Sequence, residues 1–137
     1  MQFSWSLLLR ICFALVWLIN GLFCKVLNIV PRHQQIVARV VGHEWAPAAT
    51  TMIGVLEMGM AFWILSRWKP KACAVSQMVV VAVMNIVEIN IASDLLLFGP
   101  FNIILAGIFI FVVFYHAFRM KEAKRIYIHS DERKMRK

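Results

Sequence analysis

An all-α integral membrane protein is the architecture this sequence predicts: a four-helix bundle with a short amphipathic helix between the first and second spans. Hydrophobic residues make up 61% of the 137 and charged residues 16%, against roughly 45–50% and about 25% in soluble domains. The mean hydropathy is +0.73, which excludes a water-soluble globule and a disordered chain. The apolar residues collect in four runs, each close to the ~20 residues that cross a hydrocarbon core of roughly 30 Å. The length leaves room for a single domain of this kind.

The first run covers about residues 4–23. Met1–Leu9 carries no Lys or Arg, and Arg10 interrupts the apolar stretch, so this segment is expected to stay in the mature chain rather than be cleaved as a signal peptide. Bulky Phe23 stands before Cys24, where a lipoprotein cleavage site needs a small residue. A long connection follows, from Asn28 to about Pro47. In it, Pro31-Arg32-His33-Gln34-Gln35 leads into Ile36-Val37-Ala38-Arg39-Val40-Val41-Gly42. Ile36, Val37, Val40 and Val41 recur at helical spacing and Gly42 is a stop signal. This predicts a short amphipathic helix that lies flat at the outer interface or dips back into the bundle, with both placements open. Trp45 suits an interfacial belt. The remaining runs cover about 48–66, 72–91 and 100–118. Pro31, Pro47, Pro70 and Pro100 fall between runs or at their edges, where a missing N–H does no harm.

The net charge of +8 has a definite location. Arg10, then Arg67, Lys69 and Lys71 in the short second connection, then eight basic residues in the tail 119–137 all belong to one side. Only Lys25, Arg32 and Arg39 belong to the other. The positive-inside rule therefore predicts cytoplasmic N- and C-termini. The tail reads as a solvated stop signal drawn to anionic headgroups, with docking of a cytoplasmic protein as the alternative. It lacks the aromatic–basic interleaving of a nucleic-acid surface, so no nucleic-acid partner is expected.

Metal and thiol chemistry find little support. Cys12, Cys24 and Cys73 form no CxxC pair. Cys12 and Cys24, twelve residues apart, are separated by about 18 Å of helical rise, too far for a disulfide, and all three cysteines are expected to be buried small hydrophobes. His33, His43, His116 and His129 are scattered, and no HExxH, zinc or EF-hand pattern occurs, so neither metal nor haem is predicted. No local signature marks a Ser–His–acid triad, and no catalytic residue is identified.

The polar residues inside the spans carry most of the functional signal, because they are costly in lipid and usually face the bundle. Thr50, Gly54, Glu57 and Ala61 follow i, i+4, i+7, i+11, a small polar stripe suited to close helix packing. Gln77, Val81, Asn85 and Glu88 form a similar stripe on the third span. Counting along each run puts Asn20, Lys25, Glu57, Asn85, Glu88 and Asn102 in the middle or outer half, with Arg32 and Arg39 above them. The inner half is nearly all apolar apart from Gln77 and Arg10, which can snorkel. The expectation is a polar, charged cavity at the outer face. Its ligand-binding residues or charge network would be Asn20, Lys25, Arg32, His33, Arg39, Glu57, Asn85 and Glu88. Glu44, Glu57, Glu88 and Asp94 are the available partners for the bases.

One stretch is distinctive. Asn20-Gly21-Leu22-Phe23-Cys24-Lys25-Val26-Leu27-Asn28-Ile29-Val30-Pro31-Arg32-His33, followed by Ile36-Val37-Ala38-Arg39-Val40-Val41-Gly42, resembles the DoxX-like family. More narrowly, it resembles a branch with an NGLxxKxLNxVPRHxxIVxRxxG stretch. Gly54-Val55-Leu56-Glu57 and Asn85-Ile86-Val87-Glu88 are similar to that branch as well, so the likeness spans about residues 20–118. It implies a four-helix bundle in a bacterial inner membrane. It also implies association with quinone-coupled sulfur oxidation or membrane oxidoreductase assemblies, and relatives of the branch occur fused to short-chain dehydrogenase-type domains. The sequence departs from a thiol-redox pattern by lacking paired cysteines.

Three functions are compatible with this reading. The first is an accessory or ligand-binding subunit, without independent catalytic activity, that holds a quinone or lipid headgroup in the outer cavity beside an oxidoreductase partner, among membrane lipids and open to self-association. The second is a small-molecule or proton-coupled transporter. The third is a structural or assembly protein whose charges only staple the long connection.

Overall fold

The computed structural model describes residues 4–96 and 98–136, without the side chains of 121–124. All regular structure among these residues is helical. Helix α1 (Trp5–Ile19) runs on as a π-helical stretch, Asn20–Val26. Helix α2 is Pro31–Val41, α3 is Ala46–Ser66, α4 is Pro70–Ala92 and α5 is Phe101–Phe114. A second π-helical stretch, Tyr115–Arg119, joins α5 to α6 (Met120–Met135). Among the described residues, four segments are long and apolar enough to cross a membrane: Trp5–Val26, Ala46–Ser66, Pro70–Leu95 and Phe101–Arg119. The expected four-span bundle is therefore present, with the first span reaching past Phe23 to Val26.

Helix α1 packs along α3, and α4 along α5. Between these pairs lies a core of Phe13, Ala14 and Trp17 from α1, Ala61 and Ile64 from α3, Cys73 and Ala74 from α4, and Val113 and Ala117 from the last span. Phe109 meets Phe13 edge-on at 5.6 Å and Trp17 at 6.5 Å, tying α5 to α1. Large apolar side chains such as Leu56, Phe62, Ile108 and Phe111 stay more than half exposed. On membrane helices such residues face lipid, which is as apolar as they are. Cys73 is buried, but Cys24 is only half-buried and Cys12 is exposed, which corrects the expectation of three buried thiols. Cys12 sits on the outward face of α1, beside exposed Ile11.

The end of the bundle where α1 begins and α5 finishes is called here the terminal end. The start of α1 and the end of α5 meet there through Ser6 and His116, whose Oγ and Nε2 are 3.0 Å apart. The turn between α3 and α4 lies at the same end. Arg67 and Lys69 adopt left-handed backbone (φ 61° and 43°), and Trp63 Nε1 donates to Trp68 O at 2.7 Å to close the turn.

Helix α2 covers the opposite end, packing on α3 and α4. Pro31 opens it with φ already set, and Gly42 ends it at φ 91°, which only glycine adopts without strain. Of the apolar face expected from spacing, Ile36 is buried and Val37 half-buried, whereas Val40 and Val41 are exposed; Ala38 is buried instead. In the last turn Arg39, not the valines, makes the contact across to α4. It reaches α4 and donates to the Ile91 carbonyl at 3.3 Å. The basic tail, expected as a solvated stop signal or a docking segment, continues as α6, in line with its helix-forming Lys, Arg, Ala and Glu.

Candidate functional site

Two glycines bring α1 and α3 together. A Cβ on Gly21 would lie 2.5 Å from the Gly54 carbonyl oxygen and 3.0 Å from Glu57 Cβ. A Cβ on Gly54 would lie 2.7 Å from the Gly21 oxygen and 2.9 Å from Lys25 Cβ. No side chain fits there, so backbone meets backbone, as in small-residue membrane interfaces. The π-helical stretch then keeps the chain aimed correctly. Phe13, Trp17, Gly21 and Lys25 are all buried at intervals of four. In a straight α-helix each such step overshoots by about 40°, so three steps drift roughly 120° around the axis. The wider π turn absorbs that drift and returns Lys25 to the α3 side.

The result is a buried ion pair. Lys25 Nζ donates to both Glu57 carboxylate oxygens at 2.8 Å, and the two side chains are 2% and 3% exposed. Taking both charges out of water is expensive and is offset only by close geometry of this kind. Around the pair lies a wider polar set. Glu88 is within electrostatic range of Lys25, Glu57 and Arg32. His33, at the start of α2, lies within electrostatic range of Lys25 and Arg32. Burial first, then the Lys25 charge, lowers its pKa from 6.5 to about 4, so the ring is neutral near pH 7.

Three buried side-chain atoms among the described residues have no hydrogen-bond partner: His33 Nδ1, Thr50 Oγ1 and Asn85 Oδ1. Thr50 is 1% exposed and shares the α3 stripe with Gly54 and Glu57. Asn85 lies one turn from Glu88 on α4, and its Nδ2 is used by the Val81 carbonyl at 2.9 Å. Most buried polar groups in proteins are paired, so three orphans at one end of a small bundle are a specific feature.

The sequence model of the DoxX-like family matches residues 14–115, which include the whole cluster. The chain belongs to the DoxX-like family. No curated protein and no solved structure matches it.

Within this DoxX-like bundle the expected site residues separate into groups. Lys25, Glu57, Glu88, Arg32 and His33 lie within electrostatic range at the α2 end, from the π-helical stretch, α2, α3 and α4, with Asn85 one turn along α4 from Glu88. Asn20 opens the π-helical stretch and is half-buried. Arg39 does not join them. Its guanidinium pairs with Asp94 on the surface, Nη2 to Oδ2 at 2.6 Å, with side chains 41% and 60% exposed. Asn28 Nδ2 donates to Gln34 Oε1 at 3.0 Å and fastens the entry to α2.

Gln77 and Arg10, the two polar residues expected in the inner half, are joined there by Ser6, Arg67 and His116, and together they line a cleft of about 1210 Å³ at the terminal end of this DoxX-like chain. Buried Trp17 Nε1 donates to Gln77 Oε1 at 3.0 Å at its inner wall. These groups come from three spans and the turn after α3, with Ser6 and His116 110 residues apart, so no local spacing could reveal them. The usable signal was Gln77 itself, a polar residue within an apolar run.

Proposed function

We propose that this DoxX-like protein is an accessory or ligand-binding subunit of a membrane oxidoreductase, which receives the polar head of a quinone or a lipid at the cluster around Lys25 and Glu57. The observation that carries this reading is the set of unpartnered buried atoms, His33 Nδ1, Thr50 Oγ1 and Asn85 Oδ1, beside a buried ion pair. The Thr50 hydroxyl, and His33 Nδ1 in the tautomer that protonates it, can donate to a carbonyl oxygen, and the Lys25 ammonium has three donors in all. A quinone carbonyl suits that donor set. Bound there, a quinone would supply the electron chemistry. The chain's own residues would hold the head, keep water away and exchange a proton at the Glu57 or Glu88 carboxylate. The one-sided basic residues support an orientation with the α2 end outside the cytoplasm and both termini inside, in a bacterial inner membrane.

The close geometry of the Lys25–Glu57 pair, with both oxygens engaged, favours a second reading in which the pair is only a staple between α1 and α3. Binding of a soluble ubiquinone analogue to the purified chain, followed by tryptophan quenching, separates the two. Ligand-binding predicts saturable binding that weakens about tenfold in Thr50→Val, which removes one charge-free donor worth roughly 1.4 kcal/mol. Staple-only predicts no saturable binding in either protein.

A further inference from the structure

The cleft at the terminal end is not used by the function proposed above, and its chemistry is different. Two guanidiniums, Arg10 and Arg67, line it within electrostatic range of each other. None of the described lining residues is acidic. Arg10 projects from the second turn of α1 and Arg67 from the tight turn after α3. The first turn of α4 also borders the cleft through Pro70, Cys73 and Ala74. A helix N-terminus presents partial positive charge there. Ser6 and His116 supply further polar groups, their Oγ and Nε2 in contact at 3.0 Å. Buried Phe13, Ile64 and Val113 make an apolar wall, extended by exposed Leu8. Two like charges facing one cleft repel each other, and a guest anion removes that repulsion.

We propose that this cleft is a headgroup site for an anionic phospholipid, with the phosphodiester held between Arg10 and Arg67 and the start of an acyl chain against Leu8, Phe13 and Ile64. Guanidinium forks match phosphate oxygens in geometry as well as charge. The cleft exceeds the roughly 300–1,000 Å³ of small-ligand sites, which leaves room for a headgroup and the start of an acyl chain. The terminal end also carries most of the basic residues, so it faces the leaflet side where anionic headgroups are attracted. Free phosphate shares the anionic chemistry but not the apolar wall.

The test is native mass spectrometry of the full chain in a neutral detergent, titrated with phosphatidylglycerol, phosphatidylcholine or inorganic phosphate. The expected result is one phosphatidylglycerol bound in preference to phosphatidylcholine. Its affinity should fall about fivefold in Arg67→Gln and roughly 25-fold when Arg10→Gln is added. Arg133→Gln, on exposed α6 away from the cleft, should leave it unchanged. Equal binding of both lipids, inorganic phosphate binding as tightly as phosphatidylglycerol, or an Arg133→Gln effect as large as that of Arg67→Gln would each overturn the proposal. Arg67 is exposed in its turn, so Arg67→Gln decides the matter even where Arg10→Gln does not fold.

Discussion

Replacing Gly54 by alanine should separate α1 from α3 and destabilise the bundle. The added methyl would lie 2.7 Å from the Gly21 carbonyl oxygen, 2.9 Å from Lys25 Cβ and 2.9 Å from Val26 Cγ2. Comfortable carbon contacts begin near 3.5 Å, so the helices must part by roughly 0.8 Å. The nearest obstacle is backbone and cannot rotate away. Overpacking of this kind costs about 1–3 kcal/mol, and the structure points to the upper end, because parting the helices also stretches both 2.8 Å bonds of Lys25 to Glu57. Gly59 and Gly107 provide the control, since a Cβ at either meets nothing within 4 Å. Alanine there should be neutral or stabilise by up to about 1 kcal/mol through helix propensity. The assay is unfolding in mixed micelles by stepwise SDS addition, followed by circular dichroism. If Gly54→Ala unfolds within about 0.5 kcal/mol of Gly59→Ala, the close backbone contact does not organise the bundle and the reasoning fails.

Further outcomes follow from the same structure. Lys25→Met should destabilise by about 3–5 kcal/mol because it strands a buried carboxylate, whereas Lys25→Met with Glu57→Met should recover most of that loss; the same SDS unfolding measures both. Trp17→Phe should cost about 1–3 kcal/mol by leaving Gln77 Oε1 without its donor at 3.0 Å, and adding Gln77→Leu should restore part of it. Arg39→Gln should leave the unfolding midpoint unchanged, since its pair with Asp94 is solvent-exposed and screened. His33 gives a pH signature. Its pKa is 6.5 when free and about 4 in the folded chain, so below pH 6.5 the unfolded state binds the extra proton. Stability should fall as pH drops from 6.5 towards 4, and His33→Gln should remove that part of the slope in a pH series of unfolding midpoints.

The fold was legible because the bilayer imposes a simple length rule. Four apolar runs near twenty residues, with prolines only at their edges, leave few alternatives. The α3 stripe was legible for a similar reason, and Thr50, Gly54, Glu57 and Ala61 are all buried. The pairing of charges was not. Lys25 meets Glu57 because a π turn shifts the register by a fraction of a turn and two glycines set the helix separation. Neither effect has a periodic signature. Arg39 belonged with the outer bases by sequence, yet the end of α4 offers Asp94 within reach at the surface. The terminal cleft stayed hidden because its polar residues are scattered singly or in pairs over three spans and the turn after α3, and each alone looks like a snorkelling or stray group.

The measurement closest to the central claim is mass spectrometry of the protein gently extracted from its native membrane, with its small molecules identified together with its protein companions. The account predicts a quinone, or one lipid species, at stoichiometric level, lost from folded Thr50→Val and Glu57→Gln variants while the fold of each is retained. A bundle from which neither variant loses any bound species, whatever lipid stays in the terminal cleft, would contradict a binding role for the Lys25–Glu57 cluster and leave it as a staple between α1 and α3.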